Sequence, residues 1–218
     1  MKDAEYKGKV RDRLMEAAGE VFAEVGYKAA TIREITNRAG ANVAAVNYHF
    51  RDKEELYSAV LQHAQRCARD SEWVPESSAP PETRLRDFIK RMLGHLLNPV
   101  RPAWHRRLMA REMTEPTRML QGLIEEDFRP KVELLGGILR DLTDGRLTED
   151  EISRSSASII AQCVFYRQNR PVILQLYPDL LSDENHIGKL ADHIARFSLG
   201  GMEQLKASSP EKFSHVLL

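Results

Sequence analysis

Cysteine is nearly absent: Cys67 and Cys163 are the only two in 218 residues, far apart, with no CxxC pair and no Cys/His cluster. That excludes a disulfide scaffold, argues against structural zinc and gives no sign of an oxidising compartment. An excess of one charge is also missing, because 32 basic residues balance 32 acidic ones. The whole chain therefore exerts no long-range pull on nucleic acid or an anionic membrane, and any polyanion must be met by a local surface. No run approaches the ~18 apolar residues of a membrane span, and Met1 to Val10 is charged rather than apolar. Glycine (12) and proline (10) are too few for a collagen-like or low-complexity chain. The histidines His63, His95, His105, His186, His193 and His215 are scattered without metal spacing. A phosphate loop, a GxSxG elbow and a catalytic carboxylate pair are all missing. The expectation is a cytoplasmic protein without metal or cofactor that is not an enzyme.

What the chain does have is helical periodicity. Val10, Leu14, Ala17, Ala18, Val21, Phe22 and Val25 form one apolar stripe, which Gly26 stops. Thr31 and Glu34 have capping-box spacing, predicting a short helix from about Ile32 to Ala39 that ends at Gly40. Asn42 can cap a third helix through Tyr48, and Asp52 with Glu55 opens a fourth whose inner stripe is Leu56, Ala59, Val60, Ala64 and Cys67. The proline-bearing stretch Val74 to Pro81 cannot continue that helix. Further stripes run over Leu85–Leu97, about Ala103–Glu115 and Met119–Leu142, where Pro130 either kinks the helix or restarts it. Thr148 with Glu151 opens a helix of about 149–168, and a last one covers about 184–206. Strand-type alternation is absent, so the fold is predicted to be all-α.

Two short helices joined through Gly40, with a longer helix on either side, are what a helix-turn-helix requires. The first braces the second, which lies in the major groove. The run Phe22 to Gly26, Thr31-Ile32-Arg33-Glu34-Ile35, Ala39-Gly40 and Asn47-Tyr48-His49-Phe50-Arg51-Asp52-Lys53-Glu54-Glu55-Leu56 resembles the DNA-binding domain of the TetR family of transcriptional regulators over about the first 60 residues. His105 to Pro116 resembles the C-terminal domain of its CerR-type (CecR-like) subgroup. The resemblance implies a DNA-binding domain over 1–70, a linker or loop over 71–82 and a helical ligand-binding and dimerisation domain over 83–218. It implies a repressor of a palindromic double-stranded operator, relieved by a small-molecule effector, and a homodimer formed through the last two long helices. Two rivals stay open: a constitutive DNA-binding activator, and an all-α enzyme or partner-binding module using a C-terminal cavity.

The expected DNA-binding residues are Thr31, Arg33, Asn42, Val43, Ala44, Ala45, Asn47, Tyr48, His49 and Lys53. Lys53 and the Tyr48 hydroxyl can meet phosphates beside free N–H groups of the fourth helix, which sets register. Arg33 can reach guanine or phosphate, and the two-pronged Asn47 amide matches adenine, while Ala44 and Ala45 permit close approach to a thymine methyl. The commoner family pattern carries threonine and tyrosine where this chain has Ala45 and Asn47, which leaves the bases read open. Phe50 is expected in the core, and Tyr48 has core packing as its alternative. His49 can instead cap the recognition helix, Arg33 and Lys53 can be solvated, and the N-terminal basic residues can form a minor-groove arm. For the effector, Trp104, Leu108, Arg111 and Glu112 share a helical stripe, with Arg111 and Glu112 a charged pair facing an apolar interior. That pair is either a structural ion pair or the polar part of a pocket, and Gln162, Tyr166 and Arg167 are further lining candidates.

Overall fold

The computed structural model describes residues 2–66, 78–97 and 102–208, and every regular element among them is helical. Cys67 and most of the expected linker lie outside the described residues. The chain separates into two compact units, Met1–Asp70 with Val100–Phe128 and Ser71–Pro99 with Arg129–Leu218.

In the first unit, α1 (Lys2–Ala29) is interrupted at Gly26, whose φ of 81° only glycine adopts readily. It is followed by α2 (Ile32–Ala39), α3 (Val43–Phe50) and α4 (Lys53–Arg66). The second unit begins with α5 (Pro81–Leu97), opened by a proline whose missing N–H is no loss there. Then α6 (Ala103–Thr114) and α7 (Leu120–Leu123) return to the first unit. These units place α6 and α7 with the N-terminal helices, whereas the expected division was 1–70 and 83–218. Trp104, Leu108, Met109 and Leu123 are buried in one cluster with Leu14, Val21, Phe22 and Tyr57. Periodicity shows that 103–115 has an apolar stripe; only packing shows that the stripe faces α1 and α4.

The approach of α6 to α1 is close. The Trp104 indole N–H donates to Glu16 at 2.6 Å, and a Cβ on Gly19 would fall into the Trp104 ring. Gly19→Ala is accordingly expected to lower stability by about 1–3 kcal/mol through overpacking, read as a shift of the urea midpoint at unchanged slope.

The expected helix over 119–142 is not continuous. A π-helical turn, Ile124–Phe128, separates α7 from α8 (Arg129–Leu142), which carries Pro130 in its first turn. Proline has no N–H to give and its ring crowds the preceding turn, so the helix restarts there.

The second unit packs α5 and α8 with α9 (Glu149–Gln168), α10 (Arg170–Leu176) and α11 (His186–Ser208). Leu85, Phe88, Leu135, Ile138, Ile159 and Ile194 lie at its centre. The predicted capping box opens α9: Glu151 N–H donates to the Thr148 hydroxyl oxygen at 3.3 Å, and Thr148 N–H donates back to Glu151 at 2.8 Å. Burial pushes the Cys163 thiol up to about 12, which makes it an inert core residue.

Candidate nucleic-acid interface

The turn between α2 and α3 is built as its residues dictate. Thr31 caps α2 by accepting from Glu34 N–H at 3.1 Å. The return half of the expected box is replaced, since the Glu34 carboxylate lies 3.9 Å from Arg38. Arg38 also grips Glu24 with two 2.8 Å bonds, which fixes α2 against α1 and holds the Glu24 carboxyl below the ordinary carboxylate range. Gly40 ends α2 in the left-handed region (φ 59°), with Ala41 N–H returning to the Thr36 carbonyl at 2.9 Å. Asn42 then caps α3, accepting from Ala45 N–H at 2.9 Å.

This capped helix keeps one face in the core and sends the other outward. Val46 and Phe50 are buried, as expected for Phe50. Val43, Ala44, Asn47 and Tyr48 are exposed, and at 67% exposure Tyr48 is not a core residue. Ala45 is half-buried and packs toward the core. His49 is half-buried at the last turn, its ring 4.9 Å from Tyr48 and 6.1 Å from Phe50. Arg33 is exposed on α2.

Three expected contacts are modified by local bonding. The oxygens of Thr31 and Asn42 are spent as caps, which leaves the hydroxyl proton of one and the amide N–H groups of the other for DNA. Lys53 rests its Nζ 4.7 Å over the Tyr27 ring and donates to the Lys28 carbonyl at 3.3 Å. Burial lowers its pKa from the ordinary lysine value. The N-terminus of α4 is not a free set of N–H donors either. Asp52 accepts from Glu55 N–H at 2.8 Å, and Glu54 and Glu55 fill the first turn. Acidic residues there already satisfy the helix dipole, so a phosphate gains less than expected.

Two further cations lie at the end of α3, Arg11 from the expected N-terminal arm and Arg51 from the motif itself. Arg11 of α1 lies 5.2 Å over the Phe50 ring at the end of α3. Arg51, 83% exposed and 2.8 Å from Glu55, forms the bend between α3 and α4 at φ 55°. Arg51 stood inside the motif and was legible; Arg11 is 39 positions from Phe50, and only tertiary packing joins them.

The effector candidates fall in both units. Trp104 and Leu108 are core residues of the first, and the expected Arg111–Glu112 pair does not form. Arg111 turns outward to Glu115 (3.2 Å) and the Glu24 carbonyl (3.3 Å). Glu112 is fully buried and accepts from the Tyr57 hydroxyl (2.5 Å), Thr117 N–H (2.9 Å) and the Thr117 hydroxyl (2.8 Å). Neighbours on a helix point about 100° apart, so adjacent charges in sequence need not meet. Gln162, Tyr166 and Arg167 are half-buried on α9 of the second unit. Among the described residues no group of His, Cys, Asp and Glu is placed to hold a metal, and no helix is long and apolar enough to cross a membrane.

A braced, capped second helix with small and amide side chains outward and cations at its end is a module for reading the major groove. Comparison with known proteins agrees. Residues 14–60 match the model of bacterial regulatory proteins of the tetR family, and residues 81–202 match the C-terminal domain of the HTH-type transcriptional dual regulator CecR. The chain is 24% identical over 213 residues to the HTH-type transcriptional repressor NicS of Pseudomonas putida, covering 92% of this chain and 96% of that one. It is 25% identical over 175 residues to the dual regulator CecR of Shigella flexneri, covering 75% and 78%. A solved tetR-family regulatory protein from Rhodococcus RHA1 shares the fold, with a TM-score of 0.63 at 19% identity over 88% of this chain and 95% of that one. The chain belongs to the TetR family of bacterial regulatory proteins and carries a CecR-type C-terminal domain. It is a DNA-binding transcriptional regulator, of a family whose members act as dimers.

Proposed function

We propose that this regulator is a repressor that sits on a palindromic operator as a homodimer and leaves it when a small molecule binds. The observation that carries the DNA half of this reading is the outward face of α3, where Asn47, Ala44 and Tyr48 stand exposed on a helix pinned at both ends. Asn47 supplies base recognition, while Lys53, Tyr48, Arg33, His49 and Arg11 supply backbone contacts, with Thr31, Asn42, Val43 and Ala45 shaping the turn and the approach. One eight-residue recognition helix spans few base pairs. Two of them, about 34–36 Å apart across a two-fold axis, read a palindrome. We place that axis at α9 and α11, which leave Phe165, Phe197 and Leu205 exposed.

The repressor sense follows NicS, a transcriptional repressor. For the effector we retain Gln162, Tyr166 and Arg167, since Trp104, Leu108 and Glu112 are consumed by packing. An effector that favours the state with displaced recognition helices by about 1–3 kcal/mol would lower operator affinity roughly 5–150-fold. Nothing in this mechanism needs a cofactor or a membrane, and its setting is the cytoplasm.

The test is selection of bound duplexes from a random pool by the purified protein at two salt concentrations. A palindrome is the expected result. Salt-sensitive binding without sequence preference would overturn the reading of α3.

A further inference from the structure

The connection between α9 and α11 is apolar on nearly every side. Between Arg170 and Asp179 no residue carries a charge. Of α10 only Ile173 is buried, whereas Val172, Leu174, Leu176, Tyr177 and Leu180 stand exposed, Leu176 by 64% and Tyr177 by 59%. A helix that is hydrophobic all round belongs in an interior, and this one is seated on its own unit by a single side chain. Apolar surface gathered this densely marks an interaction surface.

We propose that a second copy of this chain covers residues 170–180, so that the segment acts as an arm of the dimer beyond α9 and α11. The proposal rests on the dimer reading above, and two observations select the second copy as the occupant. The first is continuity: α10 begins one residue after α9 ends, about one turn past the exposed Phe165. The arm thus prolongs the apolar face assigned to the dimer. The second is charge. The exposed ends are Arg170 and Asp179, of opposite sign. Two arms lying antiparallel about a two-fold axis bring each basic end to the other's acidic end, the self-complementarity that an isologous contact demands. A membrane surface fits less well, because interfacial helices carry a basic polar face and this one has a single cation.

The experiment is sedimentation of the full chain over a dilution series, with helicity checked by circular dichroism. Leu176→Ser/Tyr177→Ser is expected to raise the dimer dissociation constant at least about tenfold, since it truncates two apolar anchors. Arg170→Glu should also weaken the dimer, and adding Asp179→Arg should restore it. The charge pair keeps the test decisive if the serine variant fails to fold. Phe197→Glu separates the two readings. If it dissociates the dimer while both arm variants associate like the wild type, the α9/α11 interface stands and the arm proposal falls. If Phe197→Glu leaves the dimer intact while the arm variants dissociate it, the arm holds and the α9/α11 placement falls. If none of the three variants changes association, both fall.

Discussion

Replacing Glu112 by alanine is expected to lower stability by about 3–5 kcal/mol, a large fraction of the 5–15 kcal/mol typical of a domain. The carboxylate is fully buried and takes three hydrogen bonds, one from Tyr57 of α4 and two from Thr117 beyond the end of α6. Removing it strands the buried Tyr57 hydroxyl at about 1–3 kcal/mol, leaves the two half-buried Thr117 donors without their acceptor and opens a cavity in the core. Tyr57→Phe removes one bond and should cost about 1–2 kcal/mol. Urea titration measures both, and a loss below about 1 kcal/mol for Glu112→Ala would show that the network carries no stability. The pair also gives a pH signature. Burial, then the facing carboxylate, raises the Tyr57 hydroxyl pKa above its ordinary value. The stabilisation is then complete below a pH of about 10, where tyrosine in an unfolded chain begins to ionise, and is lost as pH climbs from there toward the folded-state value. Tyr57→Phe should show a shallower alkaline loss than the wild type.

Asn47→Ala and Lys53→Ala are expected to weaken operator binding in different ways. Asn47 is exposed at mid-helix on α3, and losing a bidentate base contact should cost roughly 1–3 kcal/mol at one position of each half-site. Binding to unrelated sequences should be unchanged. Lys53 is a cation held in place by the Tyr27 ring and the Lys28 carbonyl. Its removal should weaken binding to all sequences alike and flatten the dependence of log K on log salt by about one unit per half-site. Titrations of operator and scrambled duplex at several salt concentrations distinguish the two. Identical behaviour of the variants would defeat this division of roles.

Much of the site was legible because its determinants are local. Caps at Thr31, Asn42, Asp52 and Thr148, the left-handed stop at Gly40 and the bounds of α9 all follow from residues within one or two turns of each other. The expected core place of Phe50 also holds, because a large aromatic on a short amphipathic helix is driven inward. Local spacing decides less where a group has two potential partners. Glu34 chose Arg38 over its own cap, and Lys53 rested on Tyr27 while acids filled the start of α4.

The sequence by itself determined the helices, their caps and the helix-turn-helix, since backbone hydrogen bonds and the period of apolar residues act over a few positions. Only the tertiary structure decided which unit each helix joined. It packed α6 on α1 and α4, set Glu112 on Tyr57 55 positions away, and left α10 apolar and uncovered. The physical reason is that an amphipathic stripe fixes how much surface must leave water, while shape and hydrogen-bond partners distant in the chain fix what it meets.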